Sequence, residues 1–229
     1  MATDSAHPVA PGRSREIRLL VFDWDGTLMD SIATIVACTQ AALGELGIEP
    51  PPEEKVRRVV GMGLRETIEE LWPECDALSL DRIRESYRRH WHETFRDRPI
   101  LYPGVAEMLR GLSEAGYLLA VATGKSRRGL DHALAQTRLE GIFHATRTVD
   151  EAPSKPHPKM LLDILEDLGA RPDEALVIGD TTYDLGMAQN AGARAVGILS
   201  GTHTREDLEG AGAAACLAVV TDVPAWLAG

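Results

Sequence analysis

Five short apolar runs are spread along the chain, and they constrain its fold more than any other feature. Each run is continuous, where a strand with one exposed face would alternate, and this is typical of parallel strands buried on both faces. The runs are IRLLVF (17–22), YLLAVA (117–122), ALVI (175–178), AVGIL (195–199) and CLAVV (216–220). Helix-compatible segments separate the later runs, at 126–139, 158–169 and 182–192. Strands that alternate with helices predict an α/β fold with a doubly wound parallel sheet.

The stretch between the first two runs departs from this rhythm. It contains four helical patterns and no convincing strand: SIATIVACTQAALGELG, EEKVRRVVG, LRETIEELW and DRIRESYRRHWHETF. We therefore predict a smaller, all-helical cap at 31–98, inserted after the first strand of a core that comprises 17–30 and 99–229. Pro103, followed by VAEMLRGLSEAG, predicts the start of the helix that returns the chain to the sheet.

Composition limits the partners and the compartment. The chain has 229 residues and a formal net charge of −11, so its long-range field would repel nucleic acids and anionic membranes. The N-terminal segment lacks the apolar core of a secretion signal, and no later run approaches the ~18 consecutive apolar residues of a membrane span. The three cysteines show no metal-binding or disulfide spacing. We expect a flexible tail at 1–16, a cytoplasmic protein, and neither nucleic acid nor membrane as a partner.

Acidic residues gather just after the apolar runs. Asp23 and Asp25 follow the first run, and Asp180 follows the third. Asp184 lies four residues beyond Asp180, and one helical turn would place both on the same face. Because ligands of open α/β sheets bind outside the carboxyl ends of the strands, we expect these acids to meet at one edge.

A hydroxyl and cationic groups are expected at the same edge. Thr123, Gly124 and Lys125 follow the second run, and Lys155 lies in the loop SKPHPK. Clustered carboxylates cannot all stay ionised without a cation, and a hard divalent ion such as Mg²⁺ removes the repulsion. Such a site suits a phosphate whose oxygens need neutralisation, and a carboxylate can itself attack phosphorus. The sequence therefore predicts a Mg²⁺-dependent enzyme that acts on a small phosphorylated metabolite.

These segments resemble the four motifs of the haloacid dehalogenase superfamily, specifically its phosphatases with a helical cap after the first strand. DWDGT (23–27) is similar to the first motif, the Thr of VATGK (121–125) to the second, the Lys of SKPHP (154–158) to the third and GDTTYD (179–184) to the fourth. Ordered agreement of four motifs over about residues 17 to 225 is far more specific than one motif. The resemblance implies a Rossmann-like core and a phosphoric monoester hydrolase that works through an aspartyl phosphate.

The resemblance also implies a chemical role for four residues. Asp23 would be the nucleophile, and Asp25 the general acid and base. Thr123 and Lys155 would hold the phosphoryl oxygens, and Lys155 would also keep Asp23 ionised.

The same resemblance implies a set of metal ligands. The side chains of Asp23 and Asp180 and the backbone carbonyl of Asp25 would bind Mg²⁺. Asp184 would hold the water shell of the metal or orient Lys155. The alternative for Asp184 alone is an ordinary turn or helix-capping role.

Three core residues near these motifs are candidates for substrate binding: Thr27, Gly124 and Lys125. Thr27 could also orient Asp25. Lys125 could instead be a solvated charge at the start of the following helix.

Arg65 is the cap residue that we predict to bind a second anionic group of the substrate. The alternative is a surface ion pair with Glu69, four residues further on. The loop VVGMGLRE (59–66) and the length of the cap are similar to those of phosphoglycolate phosphatases, which act on a small carboxylate phosphate.

Other functions fit parts of this pattern. A β-phosphoglucomutase-like mutase would share all the core residues and differ in the cap, so it stays open as the alternative. A dehalogenase would have no need of Asp25, and a phosphonate hydrolase would want a cap lysine, for which Lys55 is poorly placed. A binding module would tolerate the loss of a motif residue, and none is lost. A monomer and a homodimer are both compatible with the sequence.

Overall fold

A single parallel sheet organises the computed structural model, which describes residues 17–95 and 101–229. The strands of the described residues lie in the order β3-β2-β1-β4-β5-β6. They are β1 (Leu19–Phe22), β2 (Leu118–Thr123), β3 (Ala145–Thr148), β4 (Ala175–Gly179), β5 (Arg194–Ile198) and β6 (Cys216–Leu217). This order places β1 at the centre, where the direction of winding reverses, and the predicted doubly wound α/β fold is confirmed. The predicted tail lies outside the described residues.

Helices cover both faces of the sheet, which is why its central strands are continuously apolar. Leu20 and Phe22 of β1 pack in one core, and Leu19 and Val21 pack in the other. The core helices are α5 (Val105–Glu114), α6 (Arg127–Thr137), α7 (Lys159–Asp167), α8 (Thr182–Ala191), α9 (Arg205–Gly210) and α10 (Val223–Ala228). No helix among the described residues is long and apolar enough to span a membrane.

The edge strand β3 is not among the strands predicted from the apolar runs. Its sequence, ATRT, carries two threonines and an arginine, and only Thr148 is fully buried. It pairs with β2 from Ala120 opposite Ala145 to Thr123 opposite Thr148. An edge strand has a neighbour on one side only, so its sequence needs less apolar character than that of a central strand.

The insertion between β1 and β2 forms a helical cap, as predicted. Its helices are α1 (Ile32–Glu45), α2 (Glu53–Val59), α3 (Leu64–Leu71) and α4 (Ala77–Phe95). They enclose a small apolar cluster of their own, which includes Leu43, Ile68 and Ile83. The predicted boundary at residue 98 lies outside the described residues.

The cap leaves the core and returns to it at adjacent points. Met29 and Leu101 form an antiparallel bridge, and the Tyr102 amide donates a hydrogen bond to the Leu28 carbonyl at 3.0 Å. The two connections between core and cap therefore lie side by side.

Candidate active site

Three neighbouring strands deliver the buried polar residues of the site. Asp23 follows β1, Thr123 ends β2 and Asp180 follows β4, and all three are buried. The Asp23 amide donates to the Ile178 carbonyl at 2.9 Å, so the β1–β4 pairing continues to the first residue of the acidic loop. The sheet register therefore brings Asp23 close to Asp180.

Lys155 lies between two carboxylates in the interior. Its Nζ donates to Asp23 Oδ1 at 2.7 Å and to Asp184 Oδ1 at 2.6 Å, and its side chain is buried. Burial alone would lower the pKa of Lys155, but the two carboxylates outweigh it and raise the pKa above its ordinary value. Lys155 is therefore a permanent cation that holds Asp23 and Asp184 together.

Asp184 serves its helix and the site at the same time. It is the third residue of α8, and its Oδ2 accepts hydrogen bonds from the Thr181 amide at 3.2 Å and the Thr181 hydroxyl at 2.6 Å. Its Oδ1 accepts from Lys155. Helix capping and the orientation of Lys155, which the sequence left as alternatives, are thus both features of this residue.

The carboxylates of Asp23, Asp180 and Asp184 form a buried cluster that fits a divalent cation. One oxygen from each lies within 4.8 Å of the others. Burial raises the pKa of Asp23 well above its usual range, with Lys155 opposing and the other two acids adding to the rise. Burial, together with Asp184, raises the pKa of Asp180 to about 6. Asp23 Oδ2 is buried and has no hydrogen-bond partner among the described residues. An all-oxygen donor set with an unsatisfied carboxylate oxygen suits a hard cation such as Mg²⁺.

Hydrogen bonds fix both oxygens of Asp180. Thr27 Oγ1 donates to Oδ1 at 2.8 Å, and the amide and hydroxyl of Thr202 donate to Oδ2 at 3.0 and 3.1 Å. The prediction that Thr27 orients Asp25 is therefore wrong. Thr27 is fully buried against Asp180, so the structure gives it a positioning contact in place of the predicted substrate contact. Thr202, which follows β5, was not predicted.

Two glycines leave room for the Asp180 side chain. A Cβ on Gly26 would lie 2.5 Å from Asp180 Oδ2, and a Cβ on Gly201 would overlap the same side chain. Gly26 also has a φ of +84°, which favours glycine. The chain can therefore approach the acidic cluster closely only because these two positions lack side chains.

Asp25 has partners different from those of the other acids. Its Oδ1 accepts a hydrogen bond from Ser31 Oγ at 2.6 Å and lies 3.0 Å from Lys125 Nζ. Ser31 is the residue that precedes α1, the first helix of the cap. Lys125 Nζ also lies 4.3 Å from the centre of the Trp91 ring on α4. With a side chain only 10% exposed, Lys125 is not the solvated charge that the sequence left as an alternative.

The cap loop rests directly on the core loops. A Cβ on Gly124 would overlap the Met62 carbonyl, and the Gly63 amide donates to Ser154 Oγ at 2.9 Å. Thr123 Oγ1 accepts from the Lys125 amide at 3.2 Å. Thr123 and Gly124 both line the cleft that lies between cap and core.

Arg65 forms the surface ion pair that was the alternative to a substrate contact. Its Nε lies 2.8 Å from Glu69 Oε1, and its side chain is 64% exposed, although it lies at the edge of the cleft. Three arginines of α4, Arg84, Arg88 and Arg89, line the same cleft, and Arg89 is paired with Glu45. Arg88 has no ion-pair partner among the residues that the structure describes. These α4 arginines recur at helical spacing in RIRESYRRHWHETF, which is the signal that could have identified them.

The doubly wound core, the helical cap and the acidic edge define the class of protein. The chain belongs to the haloacid dehalogenase-like hydrolase family, whose model matches residues 20–198. The predicted family resemblance is confirmed.

Individual relatives agree with this family. Phosphoglycolate phosphatase from Aquifex aeolicus (strain VF5) is 31% identical over 183 residues, which cover 78% of this chain and 83% of the relative. Pyrophosphatase PpaX from Bacillus mycoides (strain KBAB4) is 29% identical over 184 residues, covering 80% and 84%. The crystal structure of a hydrolase from Pseudomonas syringae superposes with a TM-score of 0.85 and 29% identity, covering 92% of this chain and 97% of that one. The family and its phosphatase members confirm the predicted enzyme class, a phosphoric monoester hydrolase.

Proposed function

We propose that this protein is a Mg²⁺-dependent phosphatase that hydrolyses a small phosphomonoester through an aspartyl phosphate on Asp23. The observation that carries the proposal is the environment of that carboxylate. One oxygen is held by Lys155, the other is buried with no partner in the part of the chain that the structure describes, and the residue lines the cleft. A carboxylate kept near a fixed cation, with one oxygen unengaged, is suited to nucleophilic attack.

In the first step, Asp23 attacks phosphorus, and the bond from phosphorus to the ester oxygen breaks. Lys155 contacts Asp23, and Thr123 lines the same cleft, so we assign both to the phosphoryl oxygens. Asp25 donates a proton to the departing alkoxide. Ser31 and Lys125 both contact Asp25 through Oδ1, which leaves Oδ2 for the leaving group.

In the second step, water attacks the aspartyl phosphate. Asp25, now ionised, takes a proton from that water, and the bond from phosphorus to Asp23 breaks. Inorganic phosphate leaves, and both aspartates return to their starting states.

The cation would be held by the side chains of Asp23 and Asp180 and the backbone carbonyl of Asp25, with Asp184 behind them. When bound, Mg²⁺ would neutralise the negative charge of the acidic cluster and of the phosphoryl group. The two hydrogen-bonded oxygens of Asp180 keep that ligand in one orientation, as the contacts of Thr27 and Thr202 indicate.

The substrate that we propose carries a second anionic group, as phosphoglycolate does. The cleft is lined by six basic side chains against four acidic ones, although the chain as a whole has a net charge of −11. Local positive charge in an acidic protein favours an anionic ligand. The two relatives above are named for phosphoglycolate and for pyrophosphate, each of which joins a phosphoryl group to a second anion. Arg88, which is unpaired among the described residues, is better placed for that anion than Arg65.

The test distinguishes the roles of Asp23 and Asp25 with p-nitrophenyl phosphate, whose leaving group needs little protonation. Asp23→Asn should abolish turnover and should form no phosphoenzyme. Asp25→Asn should still be phosphorylated but should release phosphate slowly, which gives a burst of nitrophenol and a trapped phosphoenzyme in intact-protein mass spectra. Asp30→Asn is the matched control, because Asp30 is an exposed aspartate of the same segment and should behave as the wild type.

Two outcomes would contradict the proposal. One is a phosphorylated species in Asp23→Asn, and the other is the absence of any burst in Asp25→Asn with the aryl substrate. A mutase would reveal itself differently, by converting a phosphosugar to its isomer while releasing little inorganic phosphate.

A further inference from the structure

Lys125 connects the cap to Asp25 through two contacts. Its Nζ lies 3.0 Å from Asp25 Oδ1 and 4.3 Å from the centre of the Trp91 ring. The three residues come from three separate elements: the loop after β1, the loop after β2 and helix α4 of the cap. Trp91, a residue of the cap, therefore contacts Lys125, and Lys125 in turn contacts Asp25.

The Trp91 ring is itself held in place. It stacks on Tyr87, one turn earlier in α4, with ring centres 6.0 Å apart and an interplanar angle of 25°. An ammonium over an indole face is attracted by the ring quadrupole, and the attraction grows as water is excluded. The Lys125 side chain is only 10% exposed, so this contact is largely desolvated.

The contact depends on the position of the cap. Trp91 belongs to the cap and Lys125 to the core, so any movement that separates the two lobes removes the ring from the ammonium. Lysine has a long flexible stem, and without the ring its Nζ loses one of its two fixed partners. The Ser31–Asp25 hydrogen bond lies where the chain enters the first cap helix, so it does not require the cap to cover the core.

We propose that Trp91 is a positioning residue that acts through Lys125, so that Asp25 is held in its working orientation when the cap is closed. The inference rests on the acid–base role proposed for Asp25. In this proposal the cap does more than select the substrate. When it closes, Trp91 contacts Lys125 and so fixes Asp25, the residue that protonates the leaving oxygen.

The experiment is a double-mutant cycle with Trp91→Leu and Lys125→Met, followed by steady-state kinetics with 2-phosphoglycolate and Mg²⁺. Trp91→Leu should lower kcat by about 3- to 30-fold, the range that corresponds to one cation–π contact. Trp91→Phe keeps an aromatic face and should recover most of the rate. In the Lys125→Met background, Trp91→Leu should change kcat by less than about twofold, because the side chain through which it acts is gone.

Controls separate this role from a loss of folding. Glu85→Ala alters an exposed residue on the same helix that does not line the cleft, and it should leave kcat unchanged. Thermal unfolding of each variant shows whether the cap is intact. If Trp91→Leu unfolds, the test uses Trp91→Phe instead. Its kcat is compared with that of the wild type, with Lys125 present and with Lys125→Met, and a smaller change in kcat is expected.

Additive losses in the double variant would overturn the inference, and so would a Trp91→Phe variant as slow as Trp91→Leu. A change confined to KM would also overturn it, because Trp91 would then be a simple substrate contact. The role of Asp25 is tested separately by rapid mixing, because phosphoenzyme formation from p-nitrophenyl phosphate needs little protonation and its rate should fall less in Trp91→Leu than the rate for 2-phosphoglycolate. Equal losses in the rate of phosphoenzyme formation with both substrates, combined with non-additivity, would support the Trp91–Lys125 coupling and would count against Asp25 as the acid of the first step.

Discussion

Replacing Lys155 with methionine tests whether its ammonium holds the acidic cluster together. Methionine keeps an apolar stem of similar length but leaves Asp23 and Asp184 without their common cation, in surroundings where all three side chains are at most 1% exposed. Removal of one partner from a buried ion pair costs about 3–5 kcal/mol. For a chain of this size each kcal/mol lowers Tm by about 2–4 °C. In EDTA near pH 7.5, we therefore expect Tm to fall by roughly 6–20 °C.

Circular dichroism melts at two pH values provide the assay. Burial raises the pKa of Asp23, and it raises that of Asp180 to about 6, so a lower pH favours the protonated forms of these two acids and the missing ammonium matters less. The decrease in Tm of Lys155→Met relative to wild type should accordingly be smaller at the lower pH. Lys159→Met is the matched control, because Lys159 is an exposed lysine paired with Asp163, and it should cost less than about 0.5 kcal/mol. A Lys155→Met variant within about 1 kcal/mol of wild type near pH 7.5, or a loss equal at both pH values, would refute the reasoning.

Further predictions concern the metal, the acid–base residue and the cap. EDTA should abolish activity, Mg²⁺ should restore it, and Ca²⁺ should inhibit because its coordination is longer and looser; full activity in EDTA would exclude a metal-dependent mechanism. Because the pKa of Asp180 is about 6, protons compete with the cation below that pH, and calorimetry should show weaker Mg²⁺ binding at pH 5 than at pH 7. An affinity independent of pH would remove Asp180 from the ligands. Ser31→Ala removes the buried hydrogen bond to Asp25 and should lower kcat for 2-phosphoglycolate about tenfold or more, and an unchanged kcat would show that the bond does not matter for catalysis. Arg88→Ala should raise KM for 2-phosphoglycolate by about tenfold or more and leave KM for p-nitrophenyl phosphate nearly unchanged, whereas Arg65→Ala should do little; equal changes for both substrates would mean that Arg88 positions the cap.

The central part of the fold could be predicted from the sequence because its strands are covered on both faces. Burial on both sides requires continuous apolar runs, and β1, β2 and β4 have them, with the polar residues of the site directly after each run. The same reasoning fails at β3, which lies at the edge of the sheet. Thr146 and Arg147 of that strand are only half-buried, so no apolar run marks it.

The partners of individual side chains were harder to predict, because they depend on turn geometry and on distant segments. Thr27 lies two residues from Asp25, yet the turn at Gly26 directs it to Asp180, which is 153 residues away. Ser31 reaches Asp25 in its place. Nothing in the local sequence of Lys125 indicates that a cap helix will lie over it.

The paired connections between core and cap bear on how readily this protein could acquire a new substrate. Met29 and Leu101 already lie side by side. The sheet therefore constrains only the two ends of the inserted segment, as it would constrain the two ends of a tight turn. A different helical lobe could be grafted at this junction without changing the strand register that sets Asp23 beside Asp180. To keep the surroundings of Asp25, the graft would have to supply a hydroxyl at position 31 and an aromatic face above Lys125. Specificity and reaction chemistry are in this sense encoded in separable stretches of the chain, which meet at Asp25 through Ser31 and through Trp91 and Lys125.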